Sequence, residues 1–258
     1  MVYCFCKLIR HAKEIIMEAI QTKNLVKKYK DKTAVKGLDL TVHRGELYGL
    51  LGVNGAGKST TIKMLSCLTQ PTSGDAWVMG YHVTEESGKV KAIMNVSPQE
   101  TAVAAKLSVR ENLEFIARIY GCSKKEAAEK AQKMIEDFSM EDIAKSRAAT
   151  LSGGWQRRLS IAMALITEPQ VLFLDEPTLG LDVLARRELW SFIEGLKGRM
   201  TVILTTHYLE EAESLCDRIG IMAHGELRAE GTAEELKAKA GADDFEEAFI
   251  TIAGEGVK

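Results

Sequence analysis

No stretch of this chain stays apolar for the roughly 18–20 residues that a helix needs to cross a bilayer, so the chain is not expected to span a membrane itself. Nor does charge of one sign prevail, since 34 lysines and arginines face 36 aspartates and glutamates for a net charge of −2. A protein whose main partner is nucleic acid usually carries a basic excess, and none is expected here. Cysteine is sparse, with Cys4, Cys6, Cys67, Cys122 and Cys216 scattered and no Cys-x-x-Cys pair among them. That argues against a disulfide framework and suits a reducing, cytosolic compartment. Cys4 and Cys6, with His11 nearby, lack the second ligand pair of a zinc site. There is also no long heptad run. What remains is an ordinary globular composition, 46% hydrophobic and 27% charged over 258 residues. That length can bury a sizeable core in one or two lobes.

The strongest positive signal is Gly52-Val53-Asn54-Gly55-Ala56-Gly57-Lys58-Ser59-Thr60. It fits the pattern of Gly, four residues, then Gly-Lys-Ser. Leu47–Leu51 before it reads as a short buried strand, and Thr61–Leu65 after it reads as the start of a helix. That strand–loop–helix setting is what a phosphate loop requires. Glycine lets the backbone approach a ligand closely. Loop N–H groups and the helix N-terminus then attract phosphate oxygens. Lys58 is placed to reach the β- and γ-phosphates, Ser59 to bind magnesium, and Thr60 to add a phosphate contact. The competing reading is a glycine turn that caps a helix and leaves Lys58 in water.

Along the chain, Ile20, Leu25 and Val26 lead in strand-like fashion to Tyr29, and Leu38–Val42 alternates again. Ala76–Gly80 and Ile93–Val96 read as further strands, the latter running into Pro98 and placing Gln99 on a loop. Ser108 with Glu111, and Ser123 with Glu126, have the form of capping boxes, so residues 102–150 read as an all-helical insertion. A helix is expected from Ser152 through Arg157, Arg158 and Ile166, with both arginines on a solvated face. Val171–Leu174 and Val202–Leu204 are continuously apolar, as in a parallel sheet covered on both faces. A helix near Ala185–Leu196, strands near Ile219–Met222 and Glu226–Glu230, and a helix capped by Thr232 complete the pattern. From Gly241 the chain is acidic and weakly patterned.

Asp175 and Glu176 directly follow four apolar residues, at the carboxyl end of a buried strand, where open α/β sheets bind ligands. Beside a phosphate loop, Asp175 is expected to hold the magnesium, and Glu176 to orient or deprotonate an attacking water. The competing reading is a solvated acidic turn. His207 follows the next buried strand. Taken alone, a histidine there is more often structural.

Phosphate loop, Gln99, Leu151-Ser152-Gly153-Gly154, Asp175-Glu176 and His207 appear in succession. In that order they resemble the nucleotide-binding cassette of ABC transporters, from about Glu18 to Lys239. The resemblance implies an α/β fold with a RecA-like phosphate-loop core, a mostly parallel sheet, an N-terminal antiparallel β portion and an inserted helical lobe at about 102–165. It implies ATP with Mg2+, adenine stacking on Tyr29 beside Val35, sensing of the γ-phosphate and magnesium by Gln99, and a γ-phosphate contact from His207. It also implies a head-to-tail homodimer in which Ser152, Gly153 and Gly154 of one copy face the ATP held by the other, with Asp182 linking the two sites. The family usually has Gln where this chain has Trp155. Thr206-His207-Tyr208-Leu209-Glu210-Glu211-Ala212-Glu213 and Cys216–Ile219 are similar to bacterial exporter ATPases for drugs, sodium, polysaccharides or lipids.

The expectation is therefore a cassette at 17–240 and a tail at 241–258. Residues 1–16 are read as an upstream extension with Met17 as the natural start, or else as a basic amphipathic helix touching a membrane surface. The expected activity is ATP hydrolysis that powers export through a separate membrane-spanning permease. The permease is expected to bind near Gln99 and Leu107–Leu113, with the chain peripheral on the cytoplasmic face of the membrane. The alternative function is a soluble cassette ATPase of translation or DNA maintenance. A regulatory cassette that binds ATP without turnover is disfavoured by intact Lys58, Asp175, Glu176 and His207.

Overall fold

The computed structural model describes residues 18–254. The readings of Met1–Ile16, Cys4 and Cys6 included, lie outside the described residues. The described residues begin with a hairpin of β1 (Glu18–Tyr29) and β2 (Lys32–His43), antiparallel and turning at Lys30 and Asp31. It then enters a second sheet through β3 (Leu47–Leu51), every residue of which is buried. After α1 (Lys58–Leu65) it returns through β4 (Ser73–Val78) and β5 (Tyr81–His82), giving a first sheet of order β2-β1-β4-β5. Helix α2 (Ser87–Ile93) precedes β6 (Met94–Ser97). Ile93 therefore ends a helix rather than opening the strand expected there, and Val90 on that helix is its one buried residue.

The helical insertion begins with α3 (Val109–Ile119) and α4 (Lys124–Asp137), whose capping boxes at Ser108/Glu111 and Ser123/Glu126 both close. Each satisfies two backbone N–H groups that a helix start leaves unpaired. Helix α5 (Gly153–Leu165) leads to β7 (Val171–Asp175), then α6 (Val183–Glu194) and β8 (Thr201–Thr206). Helix α7 (Leu209–Leu215), strands β9 (Arg218–Ala223) and β10 (Glu226–Gly231), and α8 (Ala233–Ala240) follow. A last helix, α9 (Phe245–Gly254), occupies the stretch whose pattern was weak, and buries Phe245, Ala248 and Ile252.

The second sheet has the order β10-β9-β3-β8-β7-β6. Its β6–β7, β7–β8, β8–β3 and β3–β9 pairs are parallel, and only the β9–β10 pair is antiparallel. Successive side chains of a strand point to opposite faces. Leu172, Leu174, Val202 and Leu204 therefore pack with Leu113, Ala117 and Ile135 of the helical lobe. Phe173 and Ile203 pack instead with α1 and with Ile20, Leu25 and Leu38 of the first sheet. Both faces are covered, which is why these strands read as unbroken apolar runs. The architecture is α/β, with a mostly parallel sheet and an antiparallel N-terminal sheet, as expected. Because β3, β6, β7 and β8 run parallel, their carboxyl ends share one edge.

Candidate functional site

Four strand ends converge at that edge. β3 delivers the glycine loop, where Gly57 has φ +109° and an added Cβ would lie 2.6 Å from the Ala34 carbonyl oxygen. At Gly52 a Cβ would lie 2.4 Å from the carbonyl of Met222. Neither position admits a side chain, so the loop can form only with glycine at both. Lys58, in the first turn of α1, is 5% exposed. This excludes the solvated-lysine reading. Its ammonium donates to Gly52 O at 2.6 Å and lies 3.3 Å from Glu176 Oε1.

Glu176 follows β7 with φ +49°, a left-handed conformation costly for a side chain of this kind. Two bonds from its N–H hold it there, to Thr205 O and Thr205 Oγ1, each at 3.1 Å. Its second carboxylate oxygen lies 2.7 Å from Nδ1 of His207, at the end of β8. Glu176 is 6% exposed, so the solvated-turn reading fails as well. Asp175 Oδ1 accepts from Ser59 Oγ at 3.0 Å and from the Thr205 hydroxyl.

A cleft of about 540 Å³ opens over these groups. Of the residues singled out in the sequence, Tyr29, Asn54 to Thr60, Gln99, Glu176 and His207 line it. Lys32, Ala34 and Leu179 line it too, without having been anticipated. Tyr29 is 43% exposed. Val35 is fully buried beneath the loop and is not part of the lining. Val53 is exposed.

Ser152, Gly153, Gly154 and Asp182 do not reach the cleft of their own chain. Ser152 caps α5, and nothing lies within 4 Å of a Cβ built at Gly153. Asp182 Oδ1 caps α6 by accepting from Ala185 N at 2.9 Å. Trp155 is half-buried and carries the Arg158 guanidinium on its ring at 4.7 Å.

Arg157 corrects the expectation of a solvated face. It is 3% exposed. Its guanidinium donates to Pro177 O and Asp175 O, each at 2.8 Å, to Gln99 O at 3.3 Å, and to Pro98 O. One side chain of α5 thus fastens the loop after β6 to the turn after β7. Burial pushes its pKa down to about 10, against the pull of Asp175, Glu211 and Glu176, so it stays charged at neutral pH. Arg158 is tied down as well, paired with Glu188. A signal for Arg157 existed, because positions 157, 161 and 165 share one helix face and Ile161 and Leu165 are apolar. Arg157→Leu leaves four carbonyls without their donor, and should destabilise the fold by about 3–5 kcal/mol in urea unfolding. An unchanged midpoint would remove the fastening role.

The chain matches the family described as ABC transporter over residues 35–179. It is 44% identical over 226 residues to the daunorubicin resistance ATP-binding protein of Streptomyces coeruleorubidus, covering 87% of this chain and 72% of that one. Among solved structures it resembles an ATP-binding subunit of an ABC transporter, with a TM-score of 0.80 at 29% identity over 91% of this chain and 99% of that one. It also resembles a dimeric, post-hydrolysis ATP-binding cassette bound to ADP and phosphate, with a TM-score of 0.75 at 26% identity over 83% and 98%. This chain belongs to the ABC transporter family, as one of its ATP-binding, ATP-hydrolysing cassettes.

Proposed function

We propose that two copies of this chain, head to tail, hydrolyse ATP between them and so energise export through a separate membrane-spanning subunit. The observation that carries the catalytic part is the placement of Glu176, with one carboxylate oxygen at Lys58 and the other at His207. To hold phosphate, Lys58 exchanges Glu176 and the Gly52 carbonyl for phosphate oxygens. Glu176 is then free to accept the proton of the attacking water, while His207 Nδ1 keeps its other oxygen oriented. Tyr29 stacks on the base and the loop N–H groups hold the phosphates.

Magnesium fits the donors present. Ser59 Oγ and Asp175 Oδ1 are hard oxygens 3.0 Å apart, and Gln99 lines the same cleft as Ser59. Among the described residues no cluster of three or more His, Cys, Asp or Glu could hold a metal. A site with few protein ligands suits an ion that keeps water and phosphate oxygens around it. When bound, magnesium supplies charge neutralisation on the transferred phosphate.

Dimerisation is supported by the position of Ser152-Gly153-Gly154, outside the cleft with Ser152 and Gly153 exposed, and by the dimeric form of the similar cassette. Export is supported by the resistance function named for the Streptomyces relative; nothing favours translation or DNA maintenance. No described helix is long and apolar enough to cross a membrane. We place the chain on the cytoplasmic face, docked to its permease near Gln99 and α3, where Phe115, Ile119 and Tyr120 are exposed. Small-angle scattering with a non-cleavable ATP analogue tests the pair. A doubling of mass on adding the analogue is expected, and lost on Ser152→Phe. A monomer at saturating analogue would sink the proposal.

A further inference from the structure

One buried carboxyl behind the site takes no part in the steps above. Glu211, in the first turn of α7, is fully buried. Trp190 Nε1 on α6 donates to its Oε1 at 3.0 Å. The hydroxyls of Thr206 and Thr178, both fully buried, lie against the same carboxyl. Neither Glu211 Oε2 nor Thr178 Oγ1 completes a hydrogen bond. Thr206 Oγ1 already accepts from Tyr208 N at 2.9 Å, which leaves its proton free for a carboxylate.

The chain positions give these contacts their meaning. Thr206 immediately precedes His207, and Thr178 stands two residues after Glu176. A single carboxyl therefore touches both segments whose side chains meet at 2.7 Å in the cleft. An apolar residue of similar size would fill this place without the desolvation cost that a buried acid carries. The Trp190 N–H accounts for Oε1, whereas packing gives no reason for the second, unpaired oxygen.

We propose that Glu211 is a positioning residue for hydrolysis, setting by its contacts with Thr178 and Thr206 the relation between Glu176 and His207. This rests on the reading of Glu176 as the base. Burial raises the Glu211 carboxyl above its ordinary range, with the charge of Glu176 adding to the rise and Thr206, Thr178 and Trp190 opposing it. Glutamine keeps the shape and a carbonyl acceptor for Trp190, which makes it the conservative replacement, and leucine the disruptive one.

The test uses the full chain, with steady-state ATP hydrolysis and ATP calorimetry on Glu211→Leu, Glu211→Gln and Thr178→Val. Glu211→Leu should lose about tenfold in kcat with KM and ATP affinity within about twofold, because ground-state binding is untouched. Its thermal midpoint should fall, because Trp190 Nε1 loses its acceptor, so the kinetic split rather than the midpoint carries the test. Glu211→Gln should recover most of the rate. Thr178→Val should lose by a factor similar to Glu211→Leu, and the double variant should lose no more than either alone, as coupled neighbours do. Parental kcat in Glu211→Leu, a KM that rises in step, or a glutamine variant no better than leucine would overturn the proposal. Should the leucine variant not fold, parental kcat in Thr178→Val overturns it equally. The base reading fails separately, through Glu176→Gln. A variant there that still hydrolyses indicts the base, whereas an inactive one beside a fully active Glu211→Leu indicts only the positioning.

Discussion

Glu176→Gln should lower steady-state ATP hydrolysis by about a hundredfold or more, the range lost when a general base is removed. ATP affinity should stay within about twofold, because the change removes an interaction made in the transition state rather than in the ground state. The structure explains why the two effects separate. Glutamine keeps the size of the side chain and can still receive a hydrogen bond from Lys58 or His207, which lie at 3.3 and 2.7 Å from the carboxylate. It cannot take a proton from water at neutral pH. The ATP-bound pair should then accumulate, because the nucleotide that bridges the copies is no longer cleaved. Size-exclusion chromatography of the variant with ATP and magnesium should show a stable dimer. Hydrolysis at the parental rate would mean that another group acts as base.

Lys58→Ala should weaken ATP binding by about 30- to 150-fold, the equivalent of about 2–3 kcal/mol for a charge-assisted hydrogen bond. The buried ammonium sits at the floor of the glycine loop, already desolvated and held by Gly52 O at 2.6 Å. Little conformational entropy remains to be lost when phosphate replaces that carbonyl, so most of the interaction appears as affinity. A lysine free in water would show a smaller and salt-sensitive effect. Titration calorimetry at low and high salt distinguishes the two. Unchanged affinity would count against the loop as the phosphate site.

Much of this arrangement was legible along the chain because it is local. Capping boxes at Ser108 and Ser123 bond within four residues, so their sequence and their structure are nearly the same fact. The apolar runs Val171–Leu174 and Val202–Leu204 declared a covered parallel sheet because each face needed its own partner. The glycine loop declared its backbone because Gly57 lies where side chains cannot. Where the reading fell short, the reason was a contact made by distant segments. Ile93 closes α2 rather than opening β6, and is packed against the core cluster that holds Ile20, Leu38 and Phe173. The tail became a helix because Phe245 and Ile252 found a core formed by β9 and α7. Arg157 looked like a surface residue because arginine usually is one, and only four carbonyls from two other loops made its burial tolerable.

The order of the residues alone therefore settled which chemical groups the molecule owns, which strands carry them, and that each stands at a strand's carboxyl end. Tertiary structure decided which of them meet. Parallel strands must be joined by long crossovers, so Lys58, Glu176 and His207 are far apart in the chain and adjacent in space, where an ammonium, a carboxylate and an imidazole hold one another out of water. The same folding left Ser152 and Gly153 away from their own cleft and set Glu211 behind it. Periodicity reports which face of an element is buried, and says nothing of what is buried against it.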